Sequence, residues 1–82
     1  MLAATDIPTA AKIRETIAKI LTSAAGGTEE HWWRCTGNVA AFSLAAKSQT
    51  NWTVQPRGTP EERDMVNRAV AVVREAYPYV VR

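Results

Sequence analysis

The chain has 82 residues, of which 46% are hydrophobic and 22% charged, a composition that fits one small globular domain and excludes a disordered segment. Ten basic against eight acidic residues leave a net charge of +2, too near balance to imply nucleic acid by itself, and seven of the ten cations are arginines scattered along the chain. No stretch approaches the roughly 20 apolar residues that span a bilayer, so no membrane partner is expected.

The first residues lack the basic start and apolar run of a signal peptide, and the single Cys35 excludes an internal disulfide and suits a reducing compartment. The expected location is cytoplasmic. Asn51-Trp52-Thr53 matches a glycosylation sequon, a match read as accidental in a chain without an export signal.

The whole of 1–82 reads as a single domain, with residues 1–5 as a flexible N-terminus. Asp6 or Thr9 is placed to cap a first helix, with Pro8 in its opening turn. Ile13, Ile17, Ile20, Leu21 and Ala24 form its apolar stripe, Glu15 and Lys19 are spaced for a helical ion pair, and Gly26-Gly27 stops it. Residues 31–36, His-Trp-Trp-Arg-Cys-Thr, are aromatic-rich and short, which predicts a strand followed by a Gly37-Asn38 turn.

Residues 39–48 carry two signals. Their alanines favour helix. The alternation of Phe42, Leu44 and Ala46 favours strand, because Phe42 and Leu44 fall roughly 200° apart on a helix. Strand is preferred. Trp52 to Gln55 reads as a third strand. Thr59-Pro60-Glu61-Glu62 then opens the clearest element of the chain, a helix with a cap, a capping-box acid and a stripe through Met65, Val66, Ala69, Val70, Val72, Val73, Ala76 and Tyr77. Pro78 ends it, and residues 78–82 form a tail apolar enough to dock on the domain.

The resulting fold class is α+β, with the order α-β-β-β-α: a three-stranded antiparallel sheet with two helices packed on one face. Trp33, Cys35, Phe42, Leu44, Trp52 and Val54 then face the helices. Trp32, Arg34, Ala41, Ser43, Thr53 and Gln55 face outward, although the sequence leaves open which of the two tryptophans points inward. This order resembles that of the double-stranded-RNA-binding domain. The resemblance lies in topology and length; where that family carries basic residues at the start of its last helix, this chain has Thr59-Pro60-Glu61-Glu62-Arg63-Asp64.

No catalytic residue, cofactor or metal is assigned from sequence, and no enzyme is expected. On a strand, His31 and Cys35 stand about 13 Å apart, too far to share an ion. The expected function is a small non-catalytic adaptor, accessory or inhibitor-like module. It binds another protein or a second copy of itself through an open sheet face made of Trp32, Arg34, Ser43, Thr53 and Gln55. The alternative is weak nucleic-acid binding through Lys47, Arg57, Arg63 and Arg74.

Overall fold

The computed structural model describes residues 7–42 and 50–81. Among them the element order is α1 (Ala10–Ala25), α2 (Glu29–Thr36), β1 (Val39–Ala41), β2 (Trp52–Val54) and α3 (Pro60–Ala76). The molecule is thus mixed helix and sheet, with a two-stranded antiparallel sheet in the register Val39 to Val54, Ala40 to Thr53 and Ala41 to Trp52.

The main departure from the sequence reading is α2, where a strand was expected over residues 31–36. Thr28 accepts a hydrogen bond from His31 N at 3.0 Å, and Glu29 and Glu30 lie in the first turn, where the helix dipole favours acids. Glu30 pairs with Arg34 one turn later at 3.2 Å, and Gly37 at φ 70° closes the helix by donating to Trp33 O. Helical spacing buries Trp32, Cys35 and Thr36 together. Cap, dipole and burial outweigh the strand preference of the aromatic residues. Among the described residues the order is therefore α-α-β-β-α with two strands, the expected strand over residues 31–36 is a helix, and the α-β-β-β-α order on which the likeness to the double-stranded-RNA-binding domain rested is not found.

The caps and bounds of the two long helices match the sequence closely, but of the stripe expected on α3 only Val66, Ala69, Val70 and Val73 are buried, while Met65, Val72, Ala76 and Tyr77 are exposed. Thr9 caps α1 by accepting from Lys12 N, which puts Pro8 ahead of the helix rather than inside its first turn. Glu15 meets Lys19 at 3.2 Å. In α3, Thr59 and Glu62 form both bonds of the capping box, with Pro60 at the first helical position. Ile13, Ile17, Ala18 and Leu21 of α1 meet Val66, Ala69, Val70 and Val73 of α3 in one core with Trp32, Cys35, Trp52 and Val80.

Trp52 is 0% exposed. Its indole N–H donates to Tyr77 O at 2.8 Å, and the Arg74 guanidinium stacks over the ring at 4.6 Å while donating to Trp52 O. The C-terminal segment docks as extended chain. Val80 is buried, Val81 N donates to Pro8 O, and Asn51 brackets Val80 through both of its backbone groups. Asn51 is itself buried, so its side chain is spent inside the fold and the sequon is not presented for modification.

Two expectations about residues 39–48 divide here. Val39, Ala40 and Ala41 are strand, but Phe42, expected to face the helices, is exposed, and Ser43, Leu44, Ala46 and Lys47 lie outside the described residues.

Candidate functional site: a His–Cys–Glu cluster beside a basic cavity

Helical geometry brings His31 and Cys35 together because they stand one turn apart on α2. His31 Nε2 lies 3.6 Å from Cys35 Sγ and 2.7 Å from Glu62 Oε2 of α3. The three donor atoms all lie within 4.8 Å of one another. The expected separation of about 13 Å between His31 and Cys35 is corrected by the change of element, and the ground for dismissing a shared ion falls with it.

Glu62 is held from two sides. Its Oε1 accepts from Thr59 N at 2.9 Å, as part of the capping box, while Oε2 meets His31. These contacts pull its pKa below the ordinary carboxylate value, with the Thr59 backbone N–H as the largest cause. Cys35 moves the other way. Burial is the main cause, with the Glu62 charge adding to it, so the group rests as a thiol.

The loop before α3 locks the two halves of the cluster in place. Arg57 N donates to Cys35 O at 2.7 Å, tying the loop to the end of α2. Gly58 follows at φ 110°, and a Cβ there would collide with the Glu62 carboxylate. The glycine is needed both for its backbone conformation and for the space it leaves.

The cluster forms one wall of a cavity of 460 Å³ that is also lined by Arg14, Arg34 and Arg57. Arg14 enters from α1. Its guanidinium stacks over Trp33 at 4.3 Å, and its Nε and Nη1 donate to Trp33 O and Asn38 Oδ1.

A Cys–His–acid nucleophile relays protons through opposite nitrogens of the imidazole, one facing the thiol and the other the acid. Here a single nitrogen, Nε2, faces both partners, and the thiol is stabilised in its protonated form. An imidazole, a thiol and a carboxylate brought this close are donor types that can hold a divalent cation. No protein-family model, characterised protein or solved structure matches this chain.

The residues expected to form an open docking face are dispersed. Trp32 is buried in the core, its indole N–H donating to Gly26 O, and it lies on a helix. Of the two tryptophans, Trp32 faces inward, and Trp33 is half-buried beneath Arg14. Arg34 is exposed and lines the basic cavity; Thr53 and Gln55 are exposed along β2 and share a shallow cleft with Arg57. Ser43 is outside the described residues.

The residues of the nucleic-acid alternative are scattered as well. Arg57 lines the cavity, Arg63 is exposed on α3, and Arg74 is committed to Trp52. Lys47 is not among the described residues.

Sequence reasoning missed the His31–Cys35 pairing, although a signal for it was present. Thr28-Glu29-Glu30 repeats the cap-then-acids pattern read correctly at Thr59-Pro60-Glu61-Glu62, and Gly37 supplies the stop.

Proposed function

We propose that this chain is a metal-binding module that holds one divalent ion of the zinc class through His31, Cys35 and Glu62. The observation that carries the reading is the approach of three donor atoms, from two helices, to within 4.8 Å of one another. A thiolate, an imidazole and a carboxylate together suit zinc or cobalt rather than magnesium or calcium, which prefer oxygen ligands throughout. Around a tetrahedral ion with bonds of about 2.0–2.3 Å, donors stand about 3.3–3.7 Å apart. The Sγ to Nε2 distance of 3.6 Å already meets that spacing, the Glu62 carboxylate has to draw back from Nε2 by about half an ångström, and it has to close on Cys35 Sγ, to which the 4.8 Å bound applies, by about 1 Å. Three protein ligands leave a fourth position for water or another ligand.

The simpler account of the same residues is a His31–Glu62 hydrogen bond beside a core cysteine. Cobalt titration separates the two. A bound ion gives a thiolate-to-cobalt absorption band with one-to-one stoichiometry that disappears in Cys35→Ser. Absence of that band in the folded wild-type protein refutes metal binding at this cluster.

A second reading keeps the expected protein-binding role but moves its surface. Val72 is 62% exposed, and Met65, two turns earlier on α3, is also exposed, which leaves an apolar stripe on the outer face of that helix. Self-association through this stripe predicts a solution mass that rises with concentration in the wild type and stays monomeric in Val72→Lys. A monomer at every concentration rules it out.

A further inference from the structure

The cavity beside the cluster has a feature that metal binding does not explain: two guanidiniums sharing one small space. Arg14 is held rigidly by Trp33 and Asn38, and among the described residues its Nη2 group has no protein partner. Arg57 has its backbone fixed by Cys35 O, while its side chain makes no hydrogen bond or ion pair among the described residues. Both line the same cavity, and burial, with the Arg57 charge adding to it, lowers the Arg14 pKa. Arg34 lines the same space, and the one carboxylate there, Glu62, has both oxygens engaged by His31 and Thr59.

We propose that this cavity is a phosphate-binding site, gripped by Arg14 and Arg57 with Arg34 at the rim, and that its ligand is inorganic phosphate or the phosphate group of a small monoester. Like charges confined together repel, and an anion placed between them turns the repulsion into two attractions. The guanidinium fork matches a phosphate face with paired hydrogen bonds, and Arg14 is already oriented, so little freedom is lost when it binds. Arg34 is already paired with Glu30, so Arg14 and Arg57 supply the two uncommitted guanidinium charges, set against one carboxylate that is itself engaged. At 460 Å³ the cavity falls within the range of small-molecule sites, about 300–1,000 Å³, and has room for an organic group beyond the phosphate. The proposal goes beyond metal binding and requires no ion.

The test titrates chelator-treated protein with inorganic phosphate and with glycerol phosphate at fixed ionic strength, read by calorimetry and by phosphorus NMR linewidth. Saturable one-site binding of at least one probe is expected. Arg57→Gln is expected to weaken it about tenfold or more, the loss of a charge-assisted hydrogen bond. Arg14→Lys, which keeps the charge but loses the fork, weakens it by a smaller factor. Arg63→Gln, outside the cavity, leaves it unchanged. Circular dichroism checks that each variant is folded. Failure of both probes to saturate overturns the proposal, as does wild-type affinity in folded Arg57→Gln or equal weakening in Arg63→Gln. The metal reading is judged separately, by the cobalt–thiolate band, so either can fail without the other.

Discussion

His31 and Glu62 are 31 positions apart in the chain and meet at 2.7 Å, across the junction of α2 and α3. Glu62 also closes the capping box with Thr59, so one carboxylate joins a local helix start to a long-range contact. Glu62→Gln keeps a side-chain oxygen for the Thr59 N–H but loses the charge offered to His31 or to an ion. The expected result is a helix start close to wild type with markedly weaker cobalt binding. Glu62→Ala is expected to lower both, read as a lower urea midpoint and loss of the thiolate band.

Metal loading is expected to stabilise the fold, because the cluster is assembled only in the native state. At a free zinc concentration a hundred times the dissociation constant, the increment is about 2.7 kcal/mol. For a domain of this size that raises Tm by roughly 10–20 °C. The increment disappears in Cys35→Ser and returns to baseline in wild type treated with chelator. Equal Tm values with and without zinc, in a protein shown to bind cobalt, contradict the coupling.

Acid titration of the metal-free protein tests the Glu62 environment. Its folded pKa lies below the reference value of 4.5, so the unfolded chain binds its proton first as pH falls. The contribution of Glu62 is fully present above the unfolded pKa and is lost as pH drops through the folded one. Wild-type stability is therefore expected to fall more steeply below about pH 4.5 than that of Glu62→Gln, measured by urea midpoints across the acid range. Parallel curves for the two proteins contradict this.

Gly58 and Gly26 both have positive φ, but they differ in what surrounds them. An added Cβ at Gly26 meets nothing within 4 Å, whereas at Gly58 it runs into the Glu62 side chain. Gly26→Ala is expected to cost about 1 kcal/mol of backbone strain alone. Gly58→Ala costs more, about 2–3 kcal/mol, and also displaces the carboxylate from the cluster. Chemical unfolding gives the first quantity and cobalt affinity the second; equal effects of the two substitutions on cobalt affinity would contradict the steric argument.

Much of the fold was readable from local signals. Both long helices were visible because cap, stripe and stop agree within a single stretch, at Thr9 to Gly26 and at Thr59 to Pro78. The short helix was misread because Trp32, Trp33 and Thr36 are residues that strands favour, and eight positions are too few for periodicity to decide. That one error hid the site. At a rise of about 3.3 Å per residue His31 and Cys35 separate, whereas at about 1.5 Å per residue they meet. The Glu62 contact was beyond local reading in any case, since it depends on how α3 packs against α2. The burial of Trp32 likewise follows from helical rather than strand facing, and with it the docking face expected on an open sheet is lost.

Asn51 offers a test of how the C-terminal segment is secured. Its Nδ2 donates to Val80 O at 3.0 Å and its Oδ1 accepts from Val80 N at 2.8 Å, so one buried amide satisfies both backbone groups of a buried residue. Asn51→Ala leaves those two groups without partners, at an expected cost of about 2–4 kcal/mol. Asn51→Asp keeps the acceptor, loses the donor and buries a charge, so it is expected to be no better. In both variants hydrogen exchange at the Val80 and Val81 amides is expected to accelerate far more than at Val66 or Val70 in the centre of α3, because the tail opens locally before the helices part. Uniform acceleration across all four amides would mean that Asn51 supports the whole core and not the tail alone.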